Sequence, residues 1–314
     1  MRAAVFVLLL LANAVQASDW SDPVAEGRAL SIRAEPVEIV ADRLHPALIA
    51  DGAWRLTSDD AAFGGLSGLA IRGGELLAVG DRGVWLRADI KREGDELMLS
   101  GARIAPLRGA DGAPLATEAA DAEALAVTSD GRLLVAFERD HRLSTHGGAG
   151  ALAGRIAPKG FAALDFNGGI EGLAAFPDGR ILALGESQSE DASPVFVLGP
   201  EGGVVSARLA APSRHRITGA DLSPTGHRLY TVARDFSRVT GVSIRIFAYH
   251  LDADGVPRAD RRTELAAFES ASGIDNMEAL AVEPTEDGLR LWIVSDNNFN
   301  PPQRTILMAF RLKG

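Results

Sequence analysis

Five copies of one short pattern constrain the fold of this chain more than any other feature of its sequence. Each copy is an apolar run, a turn and a second apolar run. The runs are rich in Leu, Val and Ile and flank turns such as Pro-Asp-Gly-Arg, which is typical of β-hairpins. The copies are LSGLAIRGGELLAVGD (66–81), AEALAVTSDGRLLVAFE (122–138), IEGLAAFPDGRILALGE (170–186), ITGADLSPTGHRLYTVAR (217–234) and MEALAVEPTEDGLRLWIVSD (277–296). No long segment keeps the period of a helix, so helical repeats are disfavoured.

The spacing of the copies indicates how the hairpins assemble. Their first polar residues are separated by 56, 48, 47 and 60 positions, which suits one four-stranded sheet per copy. These first polar residues are Ser67, Glu123, Glu171, Thr218 and Glu278. We therefore predict an all-β fold, a single β-propeller of four-stranded blades. Five blade motifs are detected, and six blades are possible if residues 35–58 form another one.

The two ends of the chain predict how the ring closes. The last copy is followed by one strand only, TILMAFRL (305–312), so its blade lacks a fourth strand. A strand from the N-terminal part can complete it, and the candidates are WRLTS (54–58) and VEIVAD (37–42). Residues 35–314 then form one propeller domain, and residues 18–34 are predicted to be an N-terminal linker.

Residues 1–17 have the features of a secretory signal peptide. Arg2 precedes an apolar run over residues 3–12, and small residues stand three and one positions before a predicted cut near Ala17-Ser18. A membrane-spanning helix needs about 20 apolar residues, roughly twice the length of this run. We therefore predict a secreted or periplasmic protein without a membrane anchor.

Composition narrows the functions that are possible. The chain has no cysteine, which excludes disulfides and thiol catalysis. It has 42 acidic and 32 basic residues, a net charge of -10, which predicts no nucleic-acid partner and makes the carboxylates candidates for holding cations. Nothing in the sequence marks an oligomer surface, so a monomer is predicted. The expected partner is a small anionic or ester substrate.

Acidic residues occur in pairs at the open ends of three hairpins. If Phe176 pairs with Ile181 across the turn of the third copy, Glu171 lies opposite Glu186. The same counting predicts two further pairs, Glu123 with Glu138 and Glu278 with Asp296. Like charges directly opposite one another destabilise a sheet by about 0.2 to 1 kcal/mol. A bound cation is expected to offset that repulsion.

The open ends of all the hairpins meet at one mouth of a propeller channel, where we predict a hard cation with oxygen ligands, Ca²⁺ above all. The predicted ligands are five carboxylates and one amide: Glu123, Glu138, Glu171, Glu278, Asp296 and Asn297. Further oxygen ligands stand close to them in the sequence: Asp121, Asn167, Asp275, Asn276 and Asn298. The alternative is that these acids cap strand ends and pair with neighbouring arginines.

Candidate catalytic residues come from the same hairpin ends. Glu171 and Glu186 are predicted to act with three arginines that follow the second strands of their hairpins, namely Arg82, Arg139 and Arg234. Ahead of the fourth hairpin stands a short basic run that can bind an anionic group through charge-assisted hydrogen bonds. This predicted substrate-binding run is Arg214, His215 and Arg216. A solvated loop is the alternative for it.

Several longer segments carry a family resemblance. They are FGGLSGLAI followed by VGDRG, the EALAV and IEGLAAFPDGRILAL segments, and MEALAVEP leading to IVSDNNFNPPQRTILMAFRL. In these segments the chain resembles the secreted bacterial family described as phytase-like, or "esterase-like activity of phytase", over about residues 60–314. The Glu-Gly-Leu hairpin starts are more loosely similar to calcium-dependent lactonase propellers.

The phytase-like resemblance implies a β-propeller that hydrolyses phosphoesters or esters. Two functions stay open from the sequence. One is a Ca²⁺-dependent hydrolase of phosphoric or carboxylic esters, acting at the channel mouth. The other is a non-catalytic periplasmic propeller that binds a ligand or partner and has a structural cation site.

Overall fold

The structure is a computed structural model that describes residues 22–116, 119–166, 168–186, 192–211 and 214–313. The predicted signal peptide, residues 1–17, lies outside the described residues. Regular structure in the described part is almost entirely β, in five antiparallel sheets. Within that part, no helix has the length and apolar character needed to cross a membrane.

Strands follow one another in chain order with short turns. Four strands precede the first hairpin: β1 (Arg28–Ala29), β2 (Arg33–Pro36), β3 (Arg43–Leu44) and β4 (Leu48–Thr57). The next eight form blades 1 and 2: β5 (Leu66–Arg72), β6 (Glu75–Gly80), β7 (Val84–Glu93), β8 (Glu96–Pro106), β9 (Ala122–Val127), β10 (Leu133–Phe137), β11 (Arg142–His146) and β12 (Leu152–Ile156).

Blades 3 and 4 contain the following eight strands: β13 (Ile170–Ala175), β14 (Ile181–Gly185), β15 (Ala192–Leu198), β16 (Val204–Ala210), β17 (Arg216–Leu222), β18 (Arg228–Ser237), β19 (Gly241–Leu251) and β20 (Pro257–Phe268). Blade 5 takes the last three, β21 (Asn276–Thr285), β22 (Gly288–Asp296) and β23 (Thr305–Lys313), with β4 as its fourth strand. The predicted all-β propeller of four-stranded blades is confirmed, and its blades number five.

The innermost strands form a closed ring around a central channel. Strands β5, β9, β13, β17 and β21 each contact the next, and β21 contacts β5. The ring is completed by β4, which pairs antiparallel with β23 so that Trp54 faces Leu307. The first of the two predicted closing segments, 54–58, therefore overlaps the closing strand. The second, 37–42, forms no strand.

The segment before residue 35, predicted as a linker, lies against the propeller. Strand β1 pairs with the outer edge of blade 1, and β2 pairs with β4 at the outer edge of blade 5. Val24 is completely buried, and Leu30 and Ile32 pack on the core between blades 5 and 1. These apolar side chains explain why the segment is held on the surface of the ring, since each removes apolar area from water.

Every hairpin of the ring contains a β-bulge at the same place. In the third hairpin Ala175 faces Ile181, but nearer the channel mouth Ile170 faces Gly185, so Glu171 is an extra residue without a partner. The turn also differs from the prediction, because the N–H of Phe176 donates to the carbonyl of Arg180 at 2.8 Å. The extra residues in the other four hairpins are Ser67, Glu123, Thr218 and Glu278.

Because of the bulges, the predicted pairing of the acids is wrong. Glu171 does not lie directly opposite Glu186, nor Glu123 opposite Glu138. In the last hairpin Asp296 faces Asn276 rather than Glu278. A bulge bends its strand and re-aims the side chain of the extra residue. In this ring it turns the five first polar residues of the repeats toward the channel.

Candidate functional site

The five bulge residues have two roles, according to whether the side chain is a hydroxyl or a carboxylate. Ser67 donates a hydrogen bond to the carbonyl of Ala122 in the next blade, and Thr218 donates to the carbonyl of Met277 at 2.7 Å. These two hydroxyls therefore link blade 1 to blade 2 and blade 4 to blade 5. The other three bulge residues are glutamates, and they line the channel.

A cavity of about 260 Å³ lies at the channel end where the bulges are, and we call it the acidic mouth. Its lining comes from the bulges, from the ends of the second strands and from two loops: Ser67, Asp81, Asp121, Glu123, Glu138, Arg139, Glu171, Glu186, Thr218, Arg234, Glu278, Asp296 and Asn298. Eight of these side chains are carboxylates and two are guanidiniums. Most of the predicted metal ligands and catalytic residues therefore meet in one cavity, although they are far apart in sequence.

One part of the acidic mouth has the geometry of a cation site. Asp121, Glu123 and Glu138 each place a carboxylate oxygen within 4.8 Å of the others. The backbone holds two of them together, because the N–H of Glu138 donates to the carbonyl of Asp121 at 3.0 Å. Carboxylate oxygens are the ligands that Ca²⁺ and Mg²⁺ prefer. The acidic group can therefore hold a metal ion.

Arginines neutralise part of this negative charge. Arg139 places Nη2 at 2.8 Å from Oδ2 of Asp121. Its backbone has a φ of 61°, which is unusual for a residue other than glycine and fixes the direction of the side chain. Across the channel, Nη2 of Arg234 lies 3.2 Å from Oε1 of Glu278. Both cations belong to the predicted catalytic set.

Burial and mutual repulsion raise the pKa values of the channel carboxylates. Loss of hydration raises the pKa of Glu278 to about 8, although the adjacent Arg234 opposes the shift. Loss of hydration also raises the pKa of Asp296 to about 6. Burial is also the largest cause for Glu123 and Glu171. Repulsion from Glu171 adds to the shift of Glu123, and repulsion from Glu278 adds to the shift of Glu171, so both pKa values lie well above the ordinary range. At neutral pH some carboxyl groups of the acidic mouth are therefore protonated when no cation is bound.

Asp81 is a member of the site that the sequence did not single out. Burial raises its pKa to about 7, and the nearby charges of Asp296 and Asp121 add to the shift. Its Oδ1 atom is buried without a hydrogen-bond partner among the described residues. Gly65, with a φ of 62°, passes so close that a Cβ there would overlap this oxygen. The signal was the Gly-Gly pair before the first hairpin, which permits the close approach.

Among the predicted metal ligands and catalytic residues, Arg82 and Asn297 lie outside the lining of the acidic mouth. Arg82 stacks on the ring of Phe299, with its guanidinium carbon 3.4 Å from the ring centroid. The side-chain oxygen of Asn297 accepts hydrogen bonds from the N–H groups of Gly65 at 3.0 Å and Phe299 at 3.2 Å. Asn297 thus positions the loop, and its neighbour Asn298 lines the cavity instead. Asn167, weighed as a further ligand, lies outside the described residues.

The basic run before the fourth hairpin is spread over three environments. Arg214 is largely exposed and pairs with Asp235 at 3.0 Å. His215 is buried beside the hydroxyl of Ser243 at 3.0 Å, and burial lowers its pKa. Arg216 reaches the acidic mouth indirectly, since its Nη1 lies 3.3 Å from Oε1 of Glu186. The structure therefore brings one of the three to the site, as the partner of a lining carboxylate.

A five-bladed propeller with a carboxylate-lined channel mouth is the class of protein that this fold and site define. Residues 61–299 match the phytase-like family, which is described as "Esterase-like activity of phytase". The chain belongs to this family, and the resemblance seen in the sequence is confirmed. A search of curated proteins finds no match.

Several solved structures are similar to this chain at low identity and with TM-scores below 0.5. A gluconolactonase of Xanthomonas campestris is 16% identical, with a TM-score of 0.47 and coverage of 90% of this chain and 99% of that one. The PQQ-bound aldose sugar dehydrogenase of Streptomyces coelicolor is 15% identical, with a TM-score of 0.44 and the same two coverages, 90% and 99%. A luciferin-regenerating enzyme is 12% identical, with a TM-score of 0.43 and coverage of 89% and 95%.

Proposed function

We propose that the acidic mouth is the active site of a metal-dependent hydrolase that cleaves phosphoric or carboxylic esters. The observation that carries the proposal is the group of three carboxylates, Asp121, Glu123 and Glu138, whose oxygens lie within 4.8 Å of one another beside Arg139. Buried like charges are costly unless a cation offsets them. The all-oxygen donor set fits a hard cation, and Ca²⁺ is the ion we propose.

The chain's own residues supply the remaining functions. Asp121, Glu123 and Glu138 would hold the ion, which when bound polarises an ester oxygen and makes water more acidic. Glu171 lines the acidic mouth, and burial raises its pKa, so it can hold and return a proton. Glu186, kept in place by Arg216, is the second candidate for proton transfer.

Arginines at the rim are proposed to stabilise negative charge that develops during hydrolysis. Arg139 and Arg234 both line the cavity, and each can turn a guanidinium N–H toward an anionic oxygen. Arg82 would act through the loop that carries Phe299 rather than on the substrate.

A second function is favoured by the ion pairs within the site. The pairs Arg139–Asp121 and Arg234–Glu278 already neutralise part of the negative charge, as expected for a closed structural cation site. In that case the protein is a non-catalytic propeller that binds a ligand or partner. We further propose export through the N-terminal segment 1–17, a monomeric state and a small anionic or ester substrate.

The test combines metal analysis with a hydrolase panel. Purified protein is assayed for bound metal, then for cleavage of carboxylic and phosphoric p-nitrophenyl esters with and without chelator. The proposal expects activity that chelator removes, Ca²⁺ restores and Glu123→Gln abolishes. Glu286→Gln, at an exposed turn position, is the matched control and is expected to keep activity. Bound calcium without any ester cleavage supports the structural cation site instead.

A further inference from the structure

The channel has a second cavity at its other end, also of about 260 Å³, where the hairpin turns lie. We call it the turn-side cavity. Most of its side chains are apolar and come from the innermost strands and their turns, among them Leu69, Ile71, Leu125, Phe176 and Val282. Between the two cavities lies a void of only about 10 Å³, which is smaller than a ligand. The turn-side cavity is therefore a separate compartment from the acidic mouth.

One carboxylate, Asp221, stands inside this apolar compartment. It occupies the position three residues after the bulge of blade 4. The equivalent position in the other four blades is alanine in every case: Ala70, Ala126, Ala174 and Ala281. Four blades of the same ring thus form with a methyl group at this position. The blade geometry does not require a carboxylate there, so Asp221 has another reason to be present.

Among the described residues, no cation forms an ion pair with Asp221. Oδ1 accepts the N–H of Leu222 at 2.7 Å, and Oδ2 accepts the N–H of Val282 at 2.8 Å. Loss of hydration raises its pKa to about 7, and no charged side chain contributes to the shift. Each oxygen has a second acceptor position beyond the backbone bond. Arg72 also lines the cavity, but its charge does not contribute to the pKa of Asp221.

We propose that the turn-side cavity binds a small organic cation, an apolar body with one ammonium or amidinium group that pairs with Asp221. The apolar walls would cover the body, and the carboxylate would take the charge. Typical ligand pockets are apolar with a few fixed polar groups and measure about 300 Å³ or more, so the ligand is small. The two backbone N–H groups hold the carboxylate in place before the ligand arrives, which limits the entropy lost on binding.

The opposing explanation is that Asp221 only links blade 4 to blade 5 through Val282. Cyclohexylammonium and the uncharged cyclohexanol are the matched probes, titrated by calorimetry into protein kept in excess Ca²⁺. A hydrogen bond between two charged groups is stronger than one to a neutral hydroxyl, so the ammonium is expected to bind about tenfold tighter than the alcohol or better. Asp221→Asn keeps an acceptor for Val282 and is expected to remove that preference.

Three further variants locate the binding and keep the test valid if Asp221→Asn does not fold. Ser129→Lys, at an exposed residue of the cavity rim, adds a competing cation and is expected to weaken ammonium binding severalfold. Asp130→Asn removes one negative charge, as Asp221→Asn does, but from a residue next to Ser129 that lies outside the lining. Glu123→Gln alters only the acidic mouth. Neither is expected to change the preference. The proposal is overturned if the two probes bind equally or if neither binds. It is also overturned if ammonium binding is lost in Glu123→Gln but not in Ser129→Lys.

Discussion

Ser67 and Thr218 differ from the glutamates at the other three bulges in how far their side chains reach. A hydroxyl one bond from Cβ reaches the carbonyl of the neighbouring strand and joins two blades. A glutamate carboxylate extends farther and meets its counterparts inside the channel. The same backbone position thus holds the ring together in two blades and builds the acidic mouth in the other three.

The raised pKa of Glu278 makes stability depend on pH in the metal-free protein. Its pKa is about 8 in the folded chain against an ordinary 4.5, so the folded state binds more protons than the unfolded state between these values. The free energy of unfolding is therefore expected to fall as pH rises from about 4.5 to about 8. Urea unfolding in chelator across this range measures it. Glu278→Gln is expected to give a shallower slope, and an unchanged slope would contradict the assignment.

Removing one channel carboxylate should have opposite effects with and without cation. Glu171→Gln relieves repulsion, so it is expected to raise the melting temperature of chelator-treated protein at pH 8. The loss of one negative charge should also weaken Ca²⁺ binding and so raise its Kd. The stabilisation gained on adding Ca²⁺, which follows RT ln(1 + [L]/Kd), is therefore expected to be smaller. Calorimetry at matched ionic strength checks both. Equal Ca²⁺-induced shifts in wild type and Glu171→Gln would show that this carboxylate does not contribute to cation binding.

At the scale of the hairpin, the strands were predictable and the bulges were not. Two short apolar runs around a glycine-containing turn are typical of a hairpin, and all five copies have this pattern. A bulge adds one residue without changing that composition, so the register at the channel mouth shifted by one. The available signal was glycine directly after the bulge, at Gly68, Gly172 and Gly219.

These glycines allow neighbouring innermost strands to approach closely. A Cβ on Gly219 would lie 2.8 Å from the Cα of Ala279 in the next blade. The atoms nearest to it are all backbone atoms, which cannot move aside as a flexible side chain can. Gly219→Ala is therefore expected to lower the free energy of unfolding by about 1 to 3 kcal/mol, the usual range for overpacking. Denaturant unfolding measures it. Gly203→Ala, where a Cβ would meet nothing within 4 Å, is the control and should be close to neutral.

At the scale of the whole molecule, the site depends on contacts that join distant parts of the chain. Glu123 of blade 2 and Glu171 of blade 3 are brought close to Glu278 of blade 5 only because the ring closes. The sequence predicted that closure from the missing fourth strand of the last blade. From the sequence, Asn298 was named only as a further oxygen ligand. Asp81 was not singled out, although it ends the first copy at the position that Glu138 and Glu186 hold in the next two.

Closure by pairing predicts that the covalent link between β4 and β5 is dispensable after folding. A protease site placed at Asp59, whose side chain is 87% exposed, would cut the chain between these strands. The N-terminal fragment is expected to stay bound through β4 and β23, and the melting temperature should become dependent on protein concentration. Gel filtration and calorimetry follow both effects. Release of the fragment under native conditions would contradict the prediction.

The direction of β4 against β23 also decides how the molecule responds to tension. Leu48, where the chain enters β4, faces Leu312, next to the end of β23. A force that pulls the two strands apart from these adjacent ends loads the ladder one hydrogen bond at a time, as in opening a zipper, rather than all its bonds together. The seam between β4 and β23 therefore opens progressively from these ends when they are pulled apart.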